Sequence, residues 1–203
     1  AHAILVAGDL FDDHQVSPAT VDGVMDAFAA LERPVVVLPG NHDTVLTQEI
    51  WAGEPPGGVS VLRKAEGEML LLDELGLAVW GRPVYDHHPG FRPLAGMPPR
   101  PWDGWYVSMA HGLVTDPSEA AWRSSPILPE EIASAGCDYI ALGHIHVFRD
   151  VSQNGVPAFY SGAPSGVRAR GVALVELDPV NGVTVSPLST GFGDPHPAPR
   201  KQA

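Results

Sequence analysis

The sequence predicts an α/β fold with two stacked mixed β-sheets flanked by helices, and three patterns carry the prediction. Short apolar runs at Ile4–Ala7, Val35–Leu38, Tyr106–Met109 and Tyr139–Leu142 each lead into a turn containing glycine, the form of a buried strand followed by a loop. Ser17-Pro18 reads as an N-cap and first helical residue, and Val21, Val24, Met25, Phe28 and Leu31 follow at helical spacing. A helix near 18–32 between the first two runs makes a parallel βαβ unit of right-handed sense. Later, segments at 146–151, 157–161, 171–177 and 183–188 surround Asn154-Gly155 and Asn181-Gly182, and Asn-Gly is the strongest short hairpin signal. A parallel start and an antiparallel finish imply two sheets packed face to face.

The intervening elements follow in order. Residues 44–52 read as a short helix, and strands are expected near 59–62, 68–72 and 77–80. Residues 82–104 are rich in Pro, Gly and aromatics; an irregular stretch of that length in a compact domain is usually functional or disordered, and this one is expected to rim a site. Trp80, Trp102 and Trp105 are read as anchors on the core, with stacking on a base as the alternative. Residues 112–128 form another loop, Pro129–Ala135 a short helix, and Cys137 a small core residue. One domain is expected over 1–190, with 191–203 a disordered tail.

Composition narrows the classes. A chain of 203 residues with 44% apolar content can bury a real core. No run approaches the ~20 apolar residues needed to span a bilayer. Cys137 is the single cysteine, which fits a reducing compartment and a cytoplasmic location. Twelve basic against 24 acidic residues give a net charge of −12, which counts against a tight nonspecific grip on DNA. Bound metal ions reverse the local field, so a nuclease is not excluded on charge.

The chemistry sits at the strand ends. Gly8-Asp9-Leu10-Phe11, Gly40-Asn41-His42-Asp43, His111-Gly112 and Gly143-His144-Ile145-His146 place oxygen and nitrogen ligand types on loops at the carboxyl ends of strands, where α/β sheets build their sites. Asp, Asn and His suit Mn, Fe or Zn. Glycine beside each ligand lets the backbone turn sharply and come close to an ion.

In this order, the motifs resemble the calcineurin-like metallophosphoesterase superfamily. The run Leu5-Val6-Ala7-Gly8-Asp9-Leu10-Phe11-Asp12 and the turn Tyr160-Ser161-Gly162-Ala163-Pro164 are most similar to its DNA-repair exonuclease branch, the SbcD-like nucleases. The resemblance implies a four-layer α/β/β/α fold and two divalent ions, Mn first, with Fe or Zn as alternatives. Asp9 resembles the carboxylate bridging both ions. Asn41, His111 and His144 resemble the other ligands of one ion, and His146 a ligand of the second. His42 resembles the histidine that protonates the leaving oxygen, and Asp43 the carboxylate that orients His42. The resemblance also implies an Asp-x-His motif upstream of Gly8-Asp9. The triplets at 12–14, 86–88 and 194–196 follow no apolar strand and read as chance matches. The domain is therefore expected to be N-terminally incomplete, with a full ligand set for one ion and only Asp9 and His146 for the other.

The function implied is metal-dependent phosphodiester hydrolysis, of the DNA-repair nuclease type. The alternatives are a phosphodiesterase or phosphatase for a small nucleotide-like substrate, and a catalytically impaired binding module. A phosphodiester substrate, DNA among the candidates, is the implied ligand. A second copy of the chain or an ATPase is the implied partner, with no membrane. Arg168 and Arg170 are read either as phosphate contacts or as surface arginines.

Overall fold

A computed structural model describes residues 1–13, 15–47, 50–86, 88–165 and 171–190. The tail 191–203, His14, His87, Arg168 and Arg170 lie outside the described residues.

Two sheets form the frame. The smaller has three parallel strands in the order β1-β2-β3: β1 (Ile4–Ala7), β2 (Val35–Leu38) and β3 (Val59–Val61). The larger has six: β4 (Glu68–Leu72), β5 (Leu77–Gly81), β6 (Trp105–His111), β9 (Tyr139–Gly143), β10 (Phe148–Asp150) and β11 (Ala158–Ser161). Its order is β10-β11-β9-β6-β5-β4. Strands β5, β6, β9 and β11 run parallel, with an antiparallel strand at each edge. Two short pairs complete the set: β7 (Leu113–Val114) with β8 (Pro126–Ile127), and the hairpin of β12 (Gly171–Asp178) with β13 (Gly182–Ser189).

Alternation along the strands explains the layers. Leu5, Ala7, Val36 and Leu38 of the small sheet meet Leu77, Val79, Val107, Met109, Tyr139 and Ala141 of the large one in the central core. The opposite face of the small sheet, Ile4, Val6, Val35, Val37, Val59 and Val61, packs on Val21 and Met25 of helix α1 (Pro18–Ala29) and on Phe11, Ile50 and Trp51. The outer face of the large sheet, Trp80, Tyr106, Ile140, Leu142 and Tyr160, is covered by Leu94, Ile127, Cys137 and Ile132 of helix α2 (Pro129–Ala133). The expected α/β/β/α layering is present, but the fourth layer is one short helix supplemented by irregular chain.

The described residues of that irregular chain, 82–86 and 88–104, are held by three arginines: Arg92 pairs with Glu131, Arg100 pairs with Asp138, and Arg82 makes the widest set of contacts. Arg82 donates to the carbonyls of Ala65 and Arg92 and to the Tyr85 hydroxyl, and its guanidinium lies over the Phe91 ring. Trp80 is buried, and Trp102 and Trp105 are half-buried against the cores, so these three act as anchors.

Three local expectations are corrected. Helix α1 stops at Ala29 rather than near 32, because Arg33 precedes Pro34 and Glu32 turns with φ 51°. The helix expected at 44–52 is a 3₁₀ turn over Val45–Thr47; the Trp51 indole N–H donates to the Asp43 carbonyl and bends the chain back to the core. In the third, β11 hairpins onto β10 as expected but also lies parallel to β9, a pairing that a local Asn-Gly turn signal does not encode. Among the described residues, no helix is long and apolar enough to cross a membrane.

The two sheets touch where β1 and β9 end. A Cβ on Gly143 would lie 1.6 Å from the Ala7 carbonyl oxygen, so only glycine permits the contact. Gly143→Ala should therefore cost upward of about 1–3 kcal/mol through forced separation of the sheets. Gly23 is a helix-interior glycine with open space around its Cβ position, so Gly23→Ala should stabilise by about 0.5–1 kcal/mol. Urea unfolding of both variants checks the pair of signs.

Candidate metal centre

Parallel strands of both sheets deliver their carboxyl ends to one place. Val107, Met109 and His111 share the inward face of β6, so the alternation that fills the core also carries the His111 imidazole into the gap between the sheets. There it is 1% exposed. Its Nδ1 is 2.9 Å from the carbonyl oxygen of Ala7. A carbonyl only accepts, so Nδ1 carries the proton and the Nε2 lone pair is the one free to coordinate a cation.

Around that nitrogen stand Asp9 Oδ2 at 3.1 Å and Asn41 Oδ1 at 2.9 Å. His144 Nδ1 lies 3.0 Å from the same Asn41 oxygen. Among the described residues, Asp9, His111 and His144 place ligand atoms within 4.8 Å of one another. Two donors each roughly 2.1 Å from an ion at right angles stand about 3.0 Å apart. The observed spacings match that value, and the donor set is chemically right for a divalent cation.

The loops that hold these atoms are strained and tightly fitted. Asp9 has φ 54° and His144 φ 95°, conformations that cost of order 1–3 kcal/mol each in residues other than glycine. A Cβ on Gly8 would meet the His111 ring at 2.1 Å, and one on Gly40 would meet Asp9 Oδ1 at 2.2 Å. The glycines beside the ligands therefore make room for neighbouring ligands.

Asp43 holds the arrangement. It is fully buried, and its carboxylate accepts the amides of Gly40 at 2.6 Å, Leu10 at 2.8 Å and Phe11 at 3.2 Å. It thus ties the loop after β1 to the loop after β2. Burial raises its carboxyl above the ordinary range, opposed by the Gly40 and Phe11 amides. Burial pushes the Asp9 carboxyl up as well, but the hydrogen bond and charge of His111, with help from His42, outweigh it and hold Asp9 at about 2. Asp9 is therefore an anion across the physiological range.

The expectation that Asp43 orients His42 does not match these contacts. The His42 amide donates to Asp9 Oδ1 at 2.9 Å, while its ring Nδ1 donates to the Asp12 carbonyl at 3.0 Å and lies 3.9 Å from the Asp12 carboxylate. His42 is half-exposed. His146 is exposed and stands outside the cluster; the turn after Gly143 sends its side chain to the surface. Sequence reasoning quoted Tyr160 only as the start of a turn; its buried hydroxyl donates to the Gly112 carbonyl at 2.9 Å and accepts the Val114 amide at 2.7 Å. It pins the turn that follows His111.

A sequence profile of calcineurin-like phosphoesterases matches residues 1–148. The chain belongs to the calcineurin-like phosphoesterase family. Membership makes it a metal-dependent phosphoesterase in general terms, and the Asp9–His111–His144 group is where such a phosphoesterase can hold a metal. No curated relative matches the chain. Among solved structures, TT1561 of Thermus thermophilus is similar with a TM-score of 0.53 and 11% identity, covering 92% of this chain and 86% of that one. At that identity the likeness is one of fold, and it supports the calcineurin-like architecture.

Asp43→Asn tests the clamp. An amide nitrogen would then face a backbone N–H in place of one carboxylate oxygen. Loss of charge-assisted hydrogen bonds predicts about 2–3 kcal/mol of destabilisation, read as a lower urea midpoint at an unchanged slope.

Proposed function

We propose that this protein hydrolyses phosphodiester bonds with two divalent ions, Mn²⁺ first among them. The convergence of Asp9, Asn41, His111 and His144 beside a half-exposed His42 carries the reading. Asp9, Asn41, His111 and His144 would hold one ion; Asp9 and His146 would contribute to the second. Bound there, divalent ions lower the pKa of water and neutralise phosphate charge. The chain's own residues do the rest. His111 is fixed in one tautomer by Ala7. Asp43 keeps the two ligand loops in register. The Asp12 backbone carbonyl accepts a hydrogen bond from His42 Nδ1, leaving Nε2 as the atom that would pass a proton to the departing oxygen. Asp43 serves His42 only through the shared loop.

The DNA-repair nuclease reading rests on the run Leu5–Asp12 and the turn Tyr160–Pro164. A net charge of −12 favours a small diester over a long polyanion. Plasmid DNA and bis-p-nitrophenyl phosphate, assayed side by side, separate the two.

His42→Ala should lower turnover by roughly 10²–10⁴, the range for a general acid, while metal analysis finds the ion content of the parent protein. The loss should shrink when the leaving group is p-nitrophenolate, which needs little protonation. Equal losses on good and poor leaving groups would remove His42 from the acid role.

A further inference from the structure

The chain leaves β6 at Gly112, the residue after His111, and that exit is held by a side chain two strands away. Across the large sheet Ala110 pairs with Leu142, and Leu142 with Tyr160. Strands lie about 4.8 Å apart, so the Tyr160 backbone stands roughly 10 Å from β6. Its ring packs on the outer face with Ile127, Ile140 and Leu142 and is 1% exposed. From there the hydroxyl donates to the Gly112 carbonyl at 2.9 Å and accepts the Val114 amide at 2.7 Å.

The hydrogen bonding of β7 explains why an oxygen is needed at that point. On one side β7 pairs with β8: the Leu113 amide donates to the Ser125 carbonyl at 3.1 Å, and the Thr115 amide to the Ile127 carbonyl at 3.0 Å. Successive residues of an extended chain turn their polar groups to opposite sides. The Gly112 carbonyl and the Val114 amide therefore face away from β8, where, among the described residues, no strand pairs with β7. One hydroxyl both donates and accepts, so Tyr160 serves the two groups at once. Residue 112 cannot lock the turn itself. A Cβ there would lie 2.2 Å from the Ser125 carbonyl oxygen, and glycine leaves the backbone free unless its peptide groups are tied.

His111 is thus fixed from both faces of its sheet. On the inner face its Nδ1 meets the Ala7 carbonyl at 2.9 Å. On the outer face Tyr160 holds the peptide that follows it. Its Nε2 stands 3.1 Å from Asp9 Oδ2 and 2.9 Å from Asn41 Oδ1, spacings that a shift of the β6 exit would open. Both partners of the Tyr160 hydroxyl are backbone groups, so the phenol acts on the centre through His111.

We propose that Tyr160 is a positioning residue of the metal centre, setting its affinity for a divalent ion by fixing the backbone that carries His111. This rests on the metal-centre part of the proposed function and is independent of which ester is hydrolysed. Partners that orient a ligand from behind are worth roughly 10–100-fold in metal affinity.

Tyr160→Phe keeps the ring in the core and removes the oxygen. Tyr106→Phe is the matched control. Tyr106 is equally buried in the same core cluster, but its hydroxyl donates to the Pro98 carbonyl at 3.1 Å, and it sits near the start of β6 rather than the end. Mn²⁺ is titrated by calorimetry into the metal-free full chain of the parent and both variants, with urea midpoints measured alongside. Tyr160→Phe should bind Mn²⁺ about 10–100-fold more weakly than the parent. Tyr106→Phe should bind it as the parent does, whatever its urea midpoint. Equal affinity in the parent and Tyr160→Phe would overturn the proposal. So would an equal loss in Tyr106→Phe, which would mark a general loosening of the fold. A parent protein that takes up neither Mn²⁺ nor Zn²⁺ would overturn the metal-centre reading and the proposal with it, an outcome distinct from a parent that binds and a variant that binds equally well.

Discussion

The carbonyl oxygen of Ala7 is the contact on which the site depends. It ends β1, lies against Gly143 at the end of β9, and receives the Nδ1 proton of His111 from the end of β6. One backbone atom therefore joins the small sheet to the large one and selects the His111 nitrogen that faces the other ligands. The two sheets could stack on their apolar faces without it, because Val36, Leu38, Val107 and Met109 make a sufficient core. They would not be brought to the separation at which the polar atoms of Asp9, Asn41, His111 and His144 meet. Side-chain alternation along β6 adds the second half of the constraint, since the face that packs the core is the face that presents His111.

Forming the centre works against local preference. Left-handed backbone at Asp9 and His144 is unfavourable, and so is crowding a carboxylate among acceptor atoms. Both are offset nearby. The Asp43 carboxylate gathers three amides from two loops, Thr44 donates to the Val84 carbonyl at 2.6 Å, and the Val84 amide reaches the Pro39 carbonyl at 3.2 Å. The first residues past β5 thus buttress the loop that carries Asn41 and His42.

Much of this was legible in the sequence, for reasons that can be named. Val35–Leu38 is buried on both faces, and a run of four such residues before a glycine has few other readings. Asp9, Asn41, His111 and His144 sit at strand ends that parallel pairing carries to one edge, so their convergence follows from topology. What escaped depends on side-chain direction across loops. The spacing of Asn41-His42-Asp43 does not say that Asp43 points to the amides of Leu10 and Phe11 while His42 reaches Asp12. Nor does His144-Ile145-His146 say that only the first histidine joins the cluster. The Tyr160 bond to Gly112 spans 48 positions. Proline and glycine marked 82–104 as irregular, but not that Arg82, Arg92 and Arg100 would fasten its described residues to Ala65, Glu131 and Asp138.

The central claim is that the four donor atoms form a cation site rather than a hydrogen-bonded ion pair of Asp9 with a doubly protonated His111. An anomalous-difference map from a crystal grown with Mn²⁺ decides between them most directly. The account predicts a peak bonded to Asp9 Oδ2, Asn41 Oδ1, His111 Nε2 and His144 Nδ1, with the Nδ1–Ala7 hydrogen bond of His111 intact. A map without a peak there, and with His111 Nε2 still 3.1 Å from Asp9 Oδ2, would contradict it.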